Sequence, residues 1–415
     1  PFDNFGSDSV RYKTDYYYFY SQNRIEYNML QTELELRHSK IRALMEQQNI
    51  DAALITCNAN LFYTCGQVVI GYLYLSVHAP ALLFVKRPNN ISGAHRFSIR
   101  KPEQIVDLLK ENDLPLPSRL MLESDELPYS EHVRLAALFP ETEIVNGSSI
   151  LREARSVKTP YEIELFRRSA ALHAKVYHQI PQLYRPGMTD IGLSVEIERL
   201  MRLEGALGLY RVFGRTMEVC MGSLLAGDNA AAASPYDFAL GGEGLDESLP
   251  VGANGTLLKE GNSVLVDMNG NFYGYMCDMS RVYSVGRLSD RAYTAHRVCL
   301  DVQDKIASAA RPGITGEELY ELAMGVVRKS GFADNFMGIT QQARFIGHGI
   351  GLEINELPVL APRMKQELQP GMVFALEPKI VLPETGAVGI ENSWLVTETG
   401  VEKLTLCEED ILELK

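Results

Sequence analysis

No CxxC pair occurs in the 415 residues, and the six cysteines at 57, 65, 220, 277, 299 and 407 are scattered. Such usage suits a reducing cytoplasm rather than a disulfide framework. No apolar run approaches the length of a membrane span, and no basic-then-apolar leader opens the chain, so neither a membrane protein nor a secreted one is expected. Clustered Lys and Arg are missing as well. With a net charge of −13 a nucleic-acid surface is not expected. The GxSxG nucleophile elbow, the P-loop and HExxH are all absent. What remains, 46% hydrophobic and 22% charged, is an ordinary globular composition in a chain too long for one compact core. Two domains are the expectation.

Residues 1–28, with "DYYYFYSQNR", show neither helical nor strand periodicity and read as an extension outside the fold. From Met29 to residue 152 the pattern alternates. "MLQTELELRHSKIRALMEQQNIDAALI" reads as a helix running into a strand, "APALLFV" and "SRLMLES" as strands, and "EQIVDLLKEN" and "SEHVRLAALF" as helices. That alternation implies an α/β domain.

Residues 153–415 change character. "TPYE" at Thr159–Glu162 is a capping box with proline at the first helical position, predicting a long helix to about Tyr184. "RPGMTD" from Arg185 follows it and precedes a second helix ending near Leu203. The same punctuation returns 126 residues later as "RPGITG" from Arg311, after a helix over about 290–309 and before another capped one. An echo at the same joint between two helices points to an internal duplication of a helix pair plus strands. "GGEG" at Gly241–Gly244 reads as a flexible loop.

The acids gather in the strands that follow each helix pair. Asp267 and Asp278 sit in "SVLVDMNGNFYGYMCDMSRVYSV", and Glu377 and Glu391 in "GMVFALEPKIVLPETGAVGIENSWLVTE". Burying a carboxylate demands a cation, a hydrogen-bonding partner or a metal. Facing Glu377 against Glu391 in a hairpin puts the midpoint at residue 384, inside the turn "PETG". The Asp pair is open: a tight turn at Asn269–Gly270 separates the two residues, whereas a midpoint near Phe272–Tyr273 brings them together. Taken singly, a buried Asp beside Arg281 reads as an ion pair, and the histidine in "GHGIGLEINELP", His348, reads equally as a turn residue or a ligand. Four acids and one histidine in one domain point instead to a metal site, with a donor set suited to Mn, Co, Fe or Zn and less to Mg.

These strings carry a resemblance. "LVDMNGNFYGYMCDMSR", "GHGIGL", "NELP", "FALEPKI" and "GIENSWLVTETG" resemble the pita-bread metallopeptidases, the family of prolidase, aminopeptidase P, methionine aminopeptidase and the metal-free creatinase; "EARSVKTPYEIELFRRSA" is similar to the entry of their catalytic domain. The resemblance spans about residues 29–405. It implies an α/β N-terminal domain followed by an α+β pita-bread catalytic domain with a pseudo-twofold repeat, closest in layout to the Xaa-Pro peptidases. It also implies two divalent ions (Mn, Co, Zn or Fe) held by Asp267, Asp278, His348, Glu377 and Glu391. In that scheme Asp278 and Glu391 bridge, Asp267 serves one ion, and His348 and Glu377 serve the other. The implied reaction is hydrolysis of an N-terminal Xaa-Pro bond by a metal-bridging hydroxide, with Glu377 taking the proton. A homodimer is compatible with the resemblance.

Three positions depart from the family pattern. Asn355 stands where the peptidases usually carry a histidine, Ser234 where they carry a second, and Gly389 where they carry an arginine. No histidine occurs from residue 179 to 295, so a shift of alignment does not restore the one at Ser234. Asn355 can hydrogen-bond a substrate but cannot carry a proton. These departures make Asn355, Ser234 and Gly389 the candidate substrate-pocket residues. They also keep two other readings open, a metalloenzyme acting on a non-peptide small molecule and a non-catalytic binding module.

Overall fold

The computed structural model describes residues 25–90, 93–214, 217 and 221–415, so most of the aromatic N-terminal stretch lies outside the described residues. The described chain divides into two compact units between Ala154 and Arg155. No helix among the described residues is long and apolar enough to cross a membrane.

The first unit starts with helix α1 (Ile25–Gln47), strand β1 (Ala52–Ile55), α2 (Asn58–Cys65), β2 (Ile70–Ser76) and β3 (Leu82–Arg87). It continues with β4 (Arg96–Ser98), α3 (Gln104–Glu111), β5 (Arg119–Leu122), α4 (Tyr129–Ala136) and β6 (Glu143–Asn146); the division falls within α5 (Ser148–Ser156). The six strands form one mixed sheet in the order β4-β3-β2-β1-β5-β6, parallel from β1 through β5 to β6. Apolar faces of α3 and α4 (Ile105, Leu109, Leu135) pack on Leu54, Phe84 and Leu120 of the sheet. Strand β2 was not legible as a strand because all five of its interior residues are buried, which erases the period-two alternation.

The second unit opens with α6 (Pro160–Tyr177), whose N-terminus is the expected capping box. Thr159 Oγ1 accepts from Glu162 N, and the Glu162 carboxylate accepts from Thr159 N. The helix ends at Tyr177 rather than Tyr184. Pro181 has no N–H to continue the ladder, and only a short 3₁₀ turn follows. Then come α7 (Asp190–Leu203), β7 (Gly222–Ala226), β8 (Ser263–Met268), β9 (Gly270–Phe272), β10 (Tyr275–Cys277) and β11 (Ser280–Ser284). Helices α8 (Asp290–Ala309) and α9 (Gly316–Ser330) lead into β12 (Gly347–Gly349), β13 (Glu356–Leu360), β14 (Val373–Leu376), β15 (Lys379–Leu382) and β16 (Gly386–Gly389). The chain closes with β17 (Asn392–Val396), β18 (Val401–Lys403) and β19 (Leu412–Glu413).

The duplication read from "RPGMTD" and "RPGITG" is visible in this order. Each helix pair precedes an antiparallel run of three strands, β7-β8-β11 after α6/α7 and β12-β14-β17 after α8/α9. The equivalent N-cap threonines, Thr189 and Thr315, each form an isolated antiparallel bridge, to Leu257 and Glu367. The "GGEG" loop is pinned rather than loose: Gly252 N donates to Gly241 O at 2.7 Å and Glu243 N to Asn229 Oδ1 at 2.8 Å.

Candidate metal centre

One long hairpin carries the two glutamates. Its outer ladder pairs Leu376 with Asn392 and its inner ladder pairs Lys379 with Gly389, both in register about residue 384. Glu377 and Glu391 therefore face each other in the gap between the ladders. Pro378 makes the gap, since it has no N–H to give, and Ile390 N reaches its carbonyl at 3.1 Å. Freed from the hairpin, Glu377 N donates to Ile346 O (2.9 Å) and Glu391 N to Ser280 O (3.3 Å), which ties both acids to neighbouring strands.

The aspartates sit on a second hairpin whose register the sequence left open. The turn is at Tyr273–Gly274, both with positive φ (56° and 82°), as a two-residue hairpin turn requires. Asp267 pairs with Ser280, and Asp278 lies in the two-residue break between β10 and β11. The two carboxyls are close enough for Asp267 to push Asp278 up. Arg281 pairs with neither. It donates to the carbonyls of Ser280, Glu391 and Glu408 and to Asn392 Oδ1.

His348 arrives on β12, the strand between β13 and β14. Its flanking glycines are needed for close approach: a Cβ on Gly347 would lie 2.2 Å from Ala375 O, and one on Gly349 2.1 Å from the Leu357 carbonyl carbon. His348 Nε2 stands 3.3 Å from Glu377 Oε1 and 3.9 Å from Asp278 Oδ2. The five residues singled out from the sequence thus meet from both halves of the repeat.

A sixth group was missed. The Lys379 side chain is wholly buried, with Nζ 2.8 Å from Asp267 Oδ2, 2.5 Å from Glu377 Oε2 and 3.5 Å from Glu391 Oε2. The signal was present in "FALEPKIVL": a lysine inside an apolar run, two residues after an acid and hence on the same strand face.

The electrostatics follow from this packing. Burial would raise the Glu377 carboxyl, but Lys379 and His348 outweigh it and hold the acid down at about 2. Burial, then the neighbouring Asp267, pushes Asp278 up to about 7; burial and Asp278 push Glu391 well above the carboxylate range. For His348 burial acts downward, but the bond to Glu377 and the charges of Glu377 and Asp278 carry it up to about 9. The Lys379 ammonium and the His348 ring together face four carboxyl groups, and two of these, Asp278 and Glu391, are left without full charge compensation.

Two overlapping donor groups lie in the cluster, Asp278/His348/Glu391 and Asp267/Glu377/Glu391, the chosen atoms of each within 4.8 Å of one another. The first combines two carboxylates with an imidazole and fits a first-row divalent ion. The second already holds the Lys379 ammonium. A third group, Cys57/Glu123/Glu126, lies in the first unit. There the Glu123 carboxylate accepts from Thr56 N, Cys57 N and Asn60 Nδ2, which is a structural use at the start of α2.

The three departing positions behave differently. Asn355 Oδ1 accepts from Phe213 N (2.8 Å) and its Nδ2 donates to Phe213 O (2.9 Å), a two-way clamp on the backbone of another loop. Its neighbour Glu356 is held by Lys158 at 2.9 Å, which stiffens the turn. Ser234 donates to Pro250 O at 2.9 Å and lines a cavity of about 380 Å³ together with Phe345, whose ring meets His348 at 6.2 Å between centroids. Gly389 lies buried opposite Lys379.

Comparison with known proteins places these features in a family. Residues 164–398 match the model of metallopeptidase family M24, and residues 37–157 that of the creatinase/prolidase N-terminal domain. The chain belongs to metallopeptidase family M24. The uncharacterized peptidase YqhT of Bacillus subtilis is 27% identical, over 91% of this chain and 100% of that protein. The Xaa-Pro dipeptidase of Pyrococcus furiosus is 25% identical over 91% and 99%. Among solved structures, the Xaa-Pro dipeptidase from Bacillus anthracis superposes with a TM-score of 0.76 at 24% identity, covering 92% of this chain and 100% of that one. The X-Pro aminopeptidase from Thermotoga maritima gives 0.73 at 22% identity, covering 88% and 98%. The architecture is the pita-bread fold behind an α/β N-terminal domain, as the resemblance implied.

Proposed function

We propose that this protein is a metal-dependent peptidase acting on the N-terminal bond of Xaa-Pro peptides. The observation that carries the reading is the meeting of Asp267, Asp278, His348, Glu377 and Glu391 in one cluster of an M24 chain, with Asp278, Glu377 and Glu391 buried and Asp267 and His348 half-buried. Asp278, His348 and Glu391 are the residues that would hold a divalent ion, whose chemistry is to acidify water and polarise a carbonyl. Glu377 is kept ionised by Lys379 and His348, so its carboxylate is a hydrogen-bond acceptor able to orient a water. Ser280 Oγ donates to Glu391 Oε2 at 2.5 Å and orients that carboxylate. The relatives' names, Xaa-Pro dipeptidase among them, support the substrate class. Cys57, Cys65, Cys277, Cys299 and Cys407 are free thiols, which supports work in a reducing cytoplasm.

The test is turnover of a panel of Xaa-Pro dipeptides and longer Xaa-Pro peptides by Mn- or Co-loaded protein, with metal content measured on the same sample. Metal bound without hydrolysis of any such peptide overturns the reading. A second reading, a non-peptide small-molecule substrate, is favoured by one observation: the Asn355 amide clamps Phe213, while Gly389 offers no side chain. Hydrolysis of the peptide panel would remove it.

A further inference from the structure

The mechanism above uses Lys379 only to keep Glu377 ionised, yet its position does more. Its Nζ lies against one oxygen each of Asp267, Glu377 and Glu391, the same three residues that make up the second donor group. An ion bound to those oxygens at the roughly 2.0–2.2 Å of a zinc–carboxylate bond would coincide with the ammonium. Lysine is a compact point charge on a four-carbon stem, able to place one positive charge where an ion would sit. The hairpin is built to admit it. Gly389 stands directly across the ladder from Lys379, and a Cβ there would lie 2.7 Å from Lys379 Cα and 3.0 Å from its Cγ. The arginine position of the family pattern has thus become empty at the place where the lysine stem passes.

We propose that Lys379 is a built-in cation that takes the place of one metal ion, so that the centre binds a single divalent ion at Asp278, His348 and Glu391. This rests on the metallopeptidase reading and sharpens it. Glu391 serves both halves, meeting Lys379 with the oxygen that also accepts from Ser280. Glu377 divides its oxygens, Oε2 toward Lys379 and Oε1 toward His348. Asp267 serves the lysine rather than the ion.

The experiment is metal stoichiometry, by elemental analysis and by calorimetric titration with Mn(II), on the full chain. Wild type should bind one equivalent. Lys379→Met, which keeps the stem and removes the charge, should bind two. Asp267→Asn, a milder change, should keep one equivalent with affinity weakened by less than about tenfold, whereas His348→Ala should lose binding. Two equivalents, or none, on the wild type overturn the proposal, as does a folded Lys379→Met protein that still binds one. Should that variant not fold, a second equivalent gained, or the single equivalent lost, in Asp267→Asn counts against the proposal in its place. The peptide panel reports separately. One equivalent without turnover removes the peptidase reading and leaves the lysine's role standing, while turnover with two equivalents does the reverse.

Discussion

Lys379 and Gly389 face one another across the β15–β16 ladder, and the glycine is what leaves the lysine its path into the acids. Any side chain at 389 meets backbone: its Cβ would lie 2.5 Å from Pro378 O. Gly389→Ala is therefore expected to cost about 1–3 kcal/mol, as overpacking does, and to lower the Tm in a thermal scan. An unchanged Tm would mean that the ladder relaxes freely there.

Asn355 is expected to act as a structural clamp. Asn355→Ala removes one donor and one acceptor from Phe213, at a cost of about 1–3 kcal/mol. The local result should be faster amide exchange over residues 210–214. Asn355→His restores the residue type of the family pattern but cannot pair with both backbone groups at once, so it should loosen the same loop rather than rescue it. Protection equal to wild type in both variants would refute the clamp.

Ion pairs of different burial should differ in cost. Lys158 and Glu356 are each about 1% exposed at the side chain and 2.9 Å apart. Lys158→Met takes one of two cations from the buried Glu356, which keeps Arg155 at 3.3 Å, and should cost about 1.5–3 kcal/mol. Arg167 and Glu402, both more than 40% exposed, form an equally short pair. Arg167→Ala should cost less than about 1 kcal/mol. Chemical denaturation midpoints of the two variants, measured side by side, decide it.

Mild acid should destabilise the fold through the half-buried His38 and the buried His173. Burial lowers His38 to about 4 and His173 to about 3, although His38 Nε2 meets Thr64 O at 2.8 Å. Unfolded, each takes a proton near pH 6.5. Between that value and the folded one the unfolded chain binds more protons, so their contribution is complete above pH 6.5 and is lost as pH falls toward 4. For His38 the loss is on the order of 2–3 kcal/mol. Buried carboxyls with raised values, such as Glu123, act in the opposite sense, so the difference between wild type and His38→Gln is the quantity to follow. Parallel denaturation curves for the two proteins at pH 7 and pH 4.5 would exclude the effect.

Much of the centre was readable because its constraints are local. A buried acid in an apolar strand advertises itself, and "PETG" positions Glu377 against Glu391 from the turn alone. The Asp267–Asp278 register was not readable: the string suggested a tight turn at Asn269–Gly270 or a wider loop about Phe272–Tyr273, and the fold uses neither. The turn is at Tyr273–Gly274, with Tyr273 at positive φ, an uncommon conformation for a tyrosine that no sequence signal announces. Asn355 read as a substrate-pocket candidate in the sequence, and its amide also pairs with the backbone of Phe213, a contact across 142 residues that no short spacing announces.

The strings from Asp267 to Glu391 by themselves carried the family resemblance and, through it, the five candidate ligands, while "RPGMTD" and "RPGITG" carried the repeat, since each depends on residue type and spacing along the chain. Tertiary structure alone decided that Lys379 joins them. Whether a lysine in an apolar run snorkels outward or turns inward depends on what stands across the sheet, and here that is a glycine, with three carboxylates waiting beyond it.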